Sequence, residues 1–188
     1  MTEAAGGEVL DGRSVAASER GATGPPGEAG GLQEWLEADL GGRPAEEVLA
    51  WAIRTFRPRV ALASSFGVED VALIDMWWRM DREVRVFTLD TGRLPEETYE
   101  VMDRIRERYG IAIATYCPEA AAVELLERER GFYSFRRSVA ERKHCCGIRK
   151  VEPLGRALAG LDAWVTGLRR EQAEPRSAVR QVERDPAH

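Results

Sequence analysis

The stretch Val60-Ala61-Leu62-Ala63-Ser64-Ser65-Phe66-Gly67-Val68-Glu69-Asp70 constrains this chain more than any other. It reads as a short buried strand, a tight polar turn and the start of a helix. A strand that runs into a helix leaves the N–H groups of the first helical turn directed into the turn. With the helix dipole they attract an anion. Ser64 and Ser65 add hydroxyl donors, and Gly67 lets a ligand approach the backbone. The anion expected there is a phosphate or sulfate on a nucleotide. An ordinary strand–helix turn with a serine cap is the plainer alternative.

The alternation continues along the chain. Leu32, Trp35, Leu36 and Leu40 are spaced for one helical face, Gly41-Gly42 ends that helix, and Pro44 suits the first turn of the next. Residues 59–63, 84–89, 111–116 and 163–166 read as strands. Residues 68–80, 95–109, 119–130 and 148–158 read as helices, with Pro153 marking a new start within the last. An Arg-rich segment, residues 132–143, leads into His144-Cys145-Cys146. Strands alternating with helices predict an α/β fold, a mostly parallel sheet flanked by helices. Ligands of such sheets bind beyond the carboxyl ends of the strands. Three polar turns fall at such ends: residues 64–67, Asp90-Thr91-Gly92-Arg93, and Gly167-Leu168-Arg169-Arg170.

Length and charge narrow the class. A chain of 188 residues suits one domain, here 32–188, behind a glycine-rich leader over 1–31. Lys plus Arg is 27 against 32 Asp plus Glu, a net charge of −5, which argues against a general nucleic-acid binder. Glu69, Asp70 and Asp75 interrupt the most apolar region, so no membrane span is expected. With no apolar signal core, the expected location is cytoplasmic. Three cysteines, two of them adjacent, are not a disulfide framework.

The adjacent pair, Cys145 and Cys146, is the second feature that needs a reason. Arg142, Lys143, His144, Arg149 and Lys150 surround it with positive charge, which favours thiolates and metal or cluster ligation. Lys150 lies four residues from Cys146 and so beside it on a helix. Two small buried residues are the plainer alternative. A [4Fe–4S] cluster needs four thiolates, and the remaining Cys117, before Pro118, is expected to be a small buried residue.

Taken together, the motifs are similar to those of the assimilatory sulfonucleotide reductases, adenylyl-sulfate reductase and phosphoadenylyl-sulfate reductase. The matching stretches are Ser64 to Asp70, Leu89-Asp90-Thr91-Gly92-Arg93-Leu94 with Glu97-Thr98-Tyr99, Cys145-Cys146 through Ile148-Arg149-Lys150-Val151-Glu152-Pro153-Leu154, and Thr166-Gly167-Leu168-Arg169-Arg170-Glu171-Gln172. The resemblance implies an adenine-nucleotide α-hydrolase-like fold. Ser64, Ser65, Phe66 and Gly67 would hold the sulfate end of adenosine 5′-phosphosulfate. Leu89, Thr91 and Gly92 would hold the adenosine, and Gly167 and Arg169 would complete the pocket. Lys150 would bridge the substrate sulfate and the cluster region, with Cys145 and Cys146 as two ligands of a [4Fe–4S] cluster. The implied reaction is thiolate attack on the sulfate sulfur with loss of AMP, followed by thioredoxin-dependent release of sulfite from the enzyme thiosulfonate. Such relatives are usually homo-oligomers.

The resemblance also carries a departure. Relatives continue into a Cys-X-X-Cys pair and a tail bearing the nucleophilic cysteine, and no matching residues occur up to His188. The chain therefore looks like a C-terminally truncated reductase, and the isolated chain is expected to be inactive. Three other readings stand beside this one: a phosphoadenylyl-sulfate reductase, an ATP-using enzyme of the same fold, and a non-catalytic nucleotide-binding fragment. The ATP-using relatives carry a Ser-Gly-Gly-X-Asp-Ser loop, against which Phe66 and the lack of a serine after Asp70 count.

Overall fold

The computed structural model describes residues 32–168 and 180–185. The leader expected over 1–31, and Arg169 and Arg170, lie outside the described residues. Helix α1 (Leu32–Leu40) buries Leu36 and Leu40 and is followed by α2 (Ala45–Phe56). Pro44 directly precedes α2, and Glu46 and Glu47 in its first turn suit the positive end of the helix dipole. Then come β1 (Val60–Ala63), α3 (Val68–Met80), β2 (Val86–Leu89), α4 (Glu96–Tyr109), β3 (Ile113–Tyr116), α5 (Ala120–Arg130), α6 (Val139–Cys146), α7 (Glu152–Leu158) and β4 (Ala163–Thr166). Gly110 ends α4 in the left-handed region at φ 64°, where a side chain would be strained.

The four strands form one parallel sheet in the order β3-β2-β1-β4. Leu62 sits opposite Val86 on one side and Val165 on the other, and Val86 opposite Ile113. Alternate residues of a strand face opposite sides. Val60, Leu62 and Val86 pack with Ile53, Ile74 and Ile105 from α2, α3 and α4. Ala61 and Phe87 pack with Ala157 and Leu158 on the other face. A strand buried on both faces reads as a continuous apolar run, which is why Val60-Ala61-Leu62-Ala63 carries no polar alternation.

The order of connection locates a crevice. The chain builds outward from β1 to β2 to β3, then returns through α5, α6 and α7 to the free flank of β1. The strand order therefore reverses between β1 and β4. A crevice opens at such a reversal, beyond the carboxyl ends of the two strands. Those ends carry residues 64–67 and Gly167.

Three sequence expectations change. The segment preceding the cysteine pair is helical from Val139, not only from residue 148. Ser138 accepts a hydrogen bond from the Glu141 N–H at 3.1 Å, the capping arrangement of a Ser-x-x-Glu run. Second, the backbone stays right-handed helical from Cys146 to Glu152, through a five-residue π turn, Gly147–Val151. Pro153 has no N–H for the Arg149 carbonyl, and its ring would crowd that carbonyl in an α-helix. The wider turn, closed by the Glu152 N–H to the Gly147 carbonyl, accommodates it. Third, Cys117 is exposed rather than buried, because β3 is an edge of the sheet and ends at Tyr116. The Arg156 guanidinium donates to its carbonyl.

Packing against the sheet centre predicts an asymmetric response to truncation. Ile74 is 0% exposed in the core, whereas Leu125 on α5 is 43% exposed. Urea unfolding of Ile74→Ala is expected to show a loss of about 2–5 kcal/mol. Leu125→Ala is expected to stay within about 0.5 kcal/mol of the parent.

Candidate functional site

The first turn is organised by a carboxylate that sequence reasoning quoted without a role. Asp70, in the first turn of α3, is 6% exposed. Its Oδ2 accepts from the Ser65 N–H at 2.6 Å and from the Ser65 hydroxyl at 2.9 Å. Its Oδ1 accepts from the Gly167 N–H at 3.0 Å. One side chain thus ties the turn after β1 to the turn after β4. A β-carbon on Gly167 would lie 2.3 Å from Asp70 Oδ1 and 2.9 Å from the Asp70 nitrogen. Only glycine allows that approach.

The serines and Gly67 therefore act differently from the sequence expectation. Ser65 spends its hydroxyl on Asp70, and the buried Ser64 hydroxyl accepts from the Phe66 N–H at 3.0 Å. Gly67 precedes α3 at φ −66°, a conformation open to any residue. The left-handed residue is Phe66, at φ 61°, with its ring buried in the core against which α3 packs. Burial of that ring offsets a backbone cost of order 1–3 kcal/mol. The Ser64 hydroxyl keeps its own proton to donate, and the first-turn N–H groups of α3 have no carbonyl inside the helix to bond.

The second turn, after β2, is built by Asp90. Its Oδ1 accepts from the Gly92 N–H at 2.8 Å and its Oδ2 from the Tyr99 hydroxyl at 2.9 Å. Gly92 is left-handed at φ 70°. The hydrogen bond to Asp90 is the main reason that the Tyr99 phenol is pushed above its ordinary range, with desolvation and the Asp90 charge adding to it. Leu89 is half-buried and packs against Ala61 and Phe87, leaving the backbone of the turn toward the carboxyl end of the sheet.

The cysteine pair lies on the last turn of α6. Cys145 is buried and Cys146 half-buried. Neighbouring helical residues point about 100° apart, so the two thiols face different ways. Four residues on, the same division recurs: Arg149 is buried and Lys150 exposed. Arg149, expected only as part of a positive surround, instead reaches inward. Its Nη1 donates to the Thr91 carbonyl at 2.7 Å and its Nη2 to Glu127 Oε1 at 2.5 Å. The structure thus brings Ser65 and Gly167 together through Asp70, with Ser64 and Gly67 in the same turn as Ser65, and joins Thr91 to the cysteine helix through Arg149. Arg169 lies outside the described residues.

The phosphoadenosine phosphosulfate reductase domain matches residues 59–188, from β1 through all the turns above. The chain belongs to the phosphoadenosine phosphosulfate reductase family. It is 45% identical over 153 residues to the adenosine 5′-phosphosulfate reductase of Pseudomonas aeruginosa (strain LESB58), covering 81% of this chain and 56% of that one. It is also 45% identical over 141 residues to 5′-adenylylsulfate reductase 3, chloroplastic, of Arabidopsis thaliana, covering 74% and 30%. The chain thus spans between about a third and just over half of these relatives' length. The crystal structure of phosphoadenylyl-sulfate reductase from Candida auris, a phosphate complex, shares the fold. Its TM-score is 0.63 at 24% identity, covering 77% of this chain and 70% of that one.

The family makes an iron–sulfur cluster the group to test against the residues present. Cys145 and Cys146 supply two thiols, half of a four-thiolate set. Cys117 sits exposed just beyond the end of β3, and no group of three or more His, Cys, Asp or Glu side chains is placed to hold a metal among the described residues. The described residues do not assemble a cluster site. A recess between α4 and β3, lined by Tyr99, Met102, Arg106 and Ile113, takes no residue from the turns at 64–67 or 167–168. Among the described residues no helix is long and apolar enough to cross a membrane.

Sequence reasoning missed Asp70, Arg149 and Glu127 as organising residues. An acid in the first turn of a buried helix, and an arginine four residues after a buried cysteine, were the available signals. Glu127 carried none.

Two predictions follow from this geometry. Gly167→Ala is expected to destabilise the chain by about 1–3 kcal/mol through overpacking. Part of that loss should disappear in an Asp70→Ala background, giving a coupling of about 0.5–3 kcal/mol in a double-mutant cycle of urea unfolding. The Tyr99–Asp90 bond needs a protonated phenol, so its stabilisation is full below the ordinary phenol range and is lost as pH rises through the raised Tyr99 value. Asp90→Asn is expected to shift the Tyr99 step of the tyrosinate titration to lower pH.

Proposed function

We propose that this chain is the nucleotide-binding part of an adenylyl-sulfate reductase that takes adenosine 5′-phosphosulfate to sulfite and AMP with thioredoxin as electron donor. The observation that carries the reading is the Asp70 staple, which holds the turns after β1 and β4 on either side of the reversal in strand order. The relatives named as adenosine 5′-phosphosulfate or adenylylsulfate reductases, at 45% identity, support the substrate class. A cytoplasmic location and assembly as a homo-oligomer belong to the same reading.

In this reading the sulfate end of the nucleotide lies against the N-terminus of α3. Backbone donors and the helix dipole favour negative charge there. Exposed Lys150 supplies a full positive charge from the helix that carries the thiols. The Thr91–Gly92 backbone receives the adenosine. In the overall reaction a thiolate attacks the sulfate sulfur, the sulfur–oxygen bond to the phosphate breaks, and AMP leaves with those electrons. The thioredoxin dithiol then supplies two electrons, releasing sulfite and leaving a disulfide. None of Cys117, Cys145 and Cys146 is assigned the attack. No step is assigned to a cluster, for which this chain offers two thiolates.

Titration calorimetry of the 188-residue chain tests the reading. Adenosine 5′-phosphosulfate and AMP are expected to bind at one shared site. Lys150→Ala should weaken adenosine 5′-phosphosulfate by about tenfold or more, as for a lost charge-assisted hydrogen bond, and AMP by less. The 3′-phosphorylated nucleotide, added in competition, reads out which sulfonucleotide the pocket prefers. Tight ATP binding with pyrophosphate release, or no nucleotide binding, would overturn the proposal.

A further inference from the structure

We infer that Arg149 and Glu127 are positioning residues that lock the Thr91–Gly92 turn to the thiol-bearing helix, so that the turn, Cys146 and Lys150 are placed as one unit. The inference rests on the nucleotide reading of that turn for its functional consequence, and on geometry alone for the lock.

Three elements of distant sequence meet here. Glu127 on α5 accepts from Arg149 at 2.5 Å, and Arg93, in the turn after β2, approaches the same Oε1 at 3.4 Å. Arg93 also donates to the Phe132 carbonyl. Arg149 is 5% exposed, and its second terminal nitrogen donates to the Thr91 carbonyl. A guanidinium this buried is tolerated only beside a countercharge, and Glu127 is the carboxylate within bonding distance. Gly92 lies against the guanidinium, since a β-carbon there would be in ordinary contact with Arg149 Nη1 at 3.4 Å, and it is the left-handed φ of 70° that favours glycine. Arg149 Nε is buried with no acceptor among the described residues. The fork is thus fixed by its two ends, the turn and Glu127, rather than by a fully satisfied core position.

The lock sets the orientation of the helix. Cys145 and Arg149 share its inner face, four residues apart, and Cys146 and Lys150 share the neighbouring, more open face. Holding Arg149 at Thr91 and Glu127 fixes the helical phase through the π turn, where the hydrogen-bond register is looser. That phase decides where Cys146 and Lys150 point.

Arg149→Lys separates positioning from bulk stability. Lysine keeps a charge beside Glu127 but cannot span both acceptors as the planar fork does. In the 188-residue chain, Arg149→Lys is expected to leave Tm nearly unchanged. Amide exchange at residues 91–93 and alkylation of Cys146, measured against exposed Cys117, should both rise about tenfold or more, and AMP affinity should fall by a similar factor. Glu127→Gln, which leaves the buried Arg149 charge without its counter-ion, should lower Tm and also raise exchange and alkylation and weaken AMP, and serves if the lysine variant does not fold. A lower Tm with exchange, alkylation and AMP affinity unchanged would overturn the inference. A loosened turn and a more reactive Cys146 in a protein that binds no AMP even as wild type would uphold the lock and overturn the nucleotide reading instead.

Discussion

A single buried carboxylate, Asp70, sets the shape of the turns at the carboxyl end of this sheet. It accepts three hydrogen bonds, two from Ser65 and one from Gly167, residues about a hundred positions apart. A buried carboxylate is costly unless its oxygens are satisfied, and here both oxygens have donors. The surrounding sequence follows from accommodating it. Gly167 must lack a side chain, Ser65 must present its N–H and hydroxyl to one oxygen, and the chain must turn sharply at Phe66. The left-handed Phe66 is held because its ring enters the core. Local strain at the turn and packing beneath it are two parts of one arrangement.

A second charged group has the same character on the other side of the site. Arg149 is buried, paired with Glu127 and bonded to the Thr91 carbonyl. Asp70 joins the ends of β1 and β4, and Arg149 joins the end of β2 to the cysteine helix. The sheet supplies the platform, with β1 at its centre, and these two buried ions fix the turns that rise from it. The proposed pocket is then mostly backbone: first-turn N–H groups of α3, the Thr91–Gly92 turn and Gly167. Lys150, exposed on the helix that carries the thiols, supplies the charge in the proposed reading.

Much of the fold was legible because apolar periodicity and burial coincide. Residues 163–166 and 68–80 were read with the boundaries that β4 and α3 have, and the other strands differ by one or two residues at their starts. The sheet order was not legible, since periodicity says nothing of which strands are neighbours. The Val139 helix start was carried by Ser138 and Glu141 but obscured by the density of arginines. Cys117 was misjudged because its exposure depends on β3 being an edge. The turns of the candidate site were legible as motifs, whereas the bonds by which Asp70, Arg149 and Glu127 tie them to other elements span 22 to 97 residues of sequence. Such pairings exist only once the sheet has formed.

The proposed site for an anionic nucleotide lies where the strand order reverses, against the start of α3. The most direct measurement is a backbone amide spectrum of the chain titrated with adenosine 5′-phosphosulfate. Shifts are expected to concentrate at residues 65–70, 90–92 and 167, with those of the α3 first turn largest and reproduced in part by sulfate alone. Shifts centred on the α4–β3 recess around Tyr99, Arg106 and Ile113, or none at residues 65–70, would contradict it.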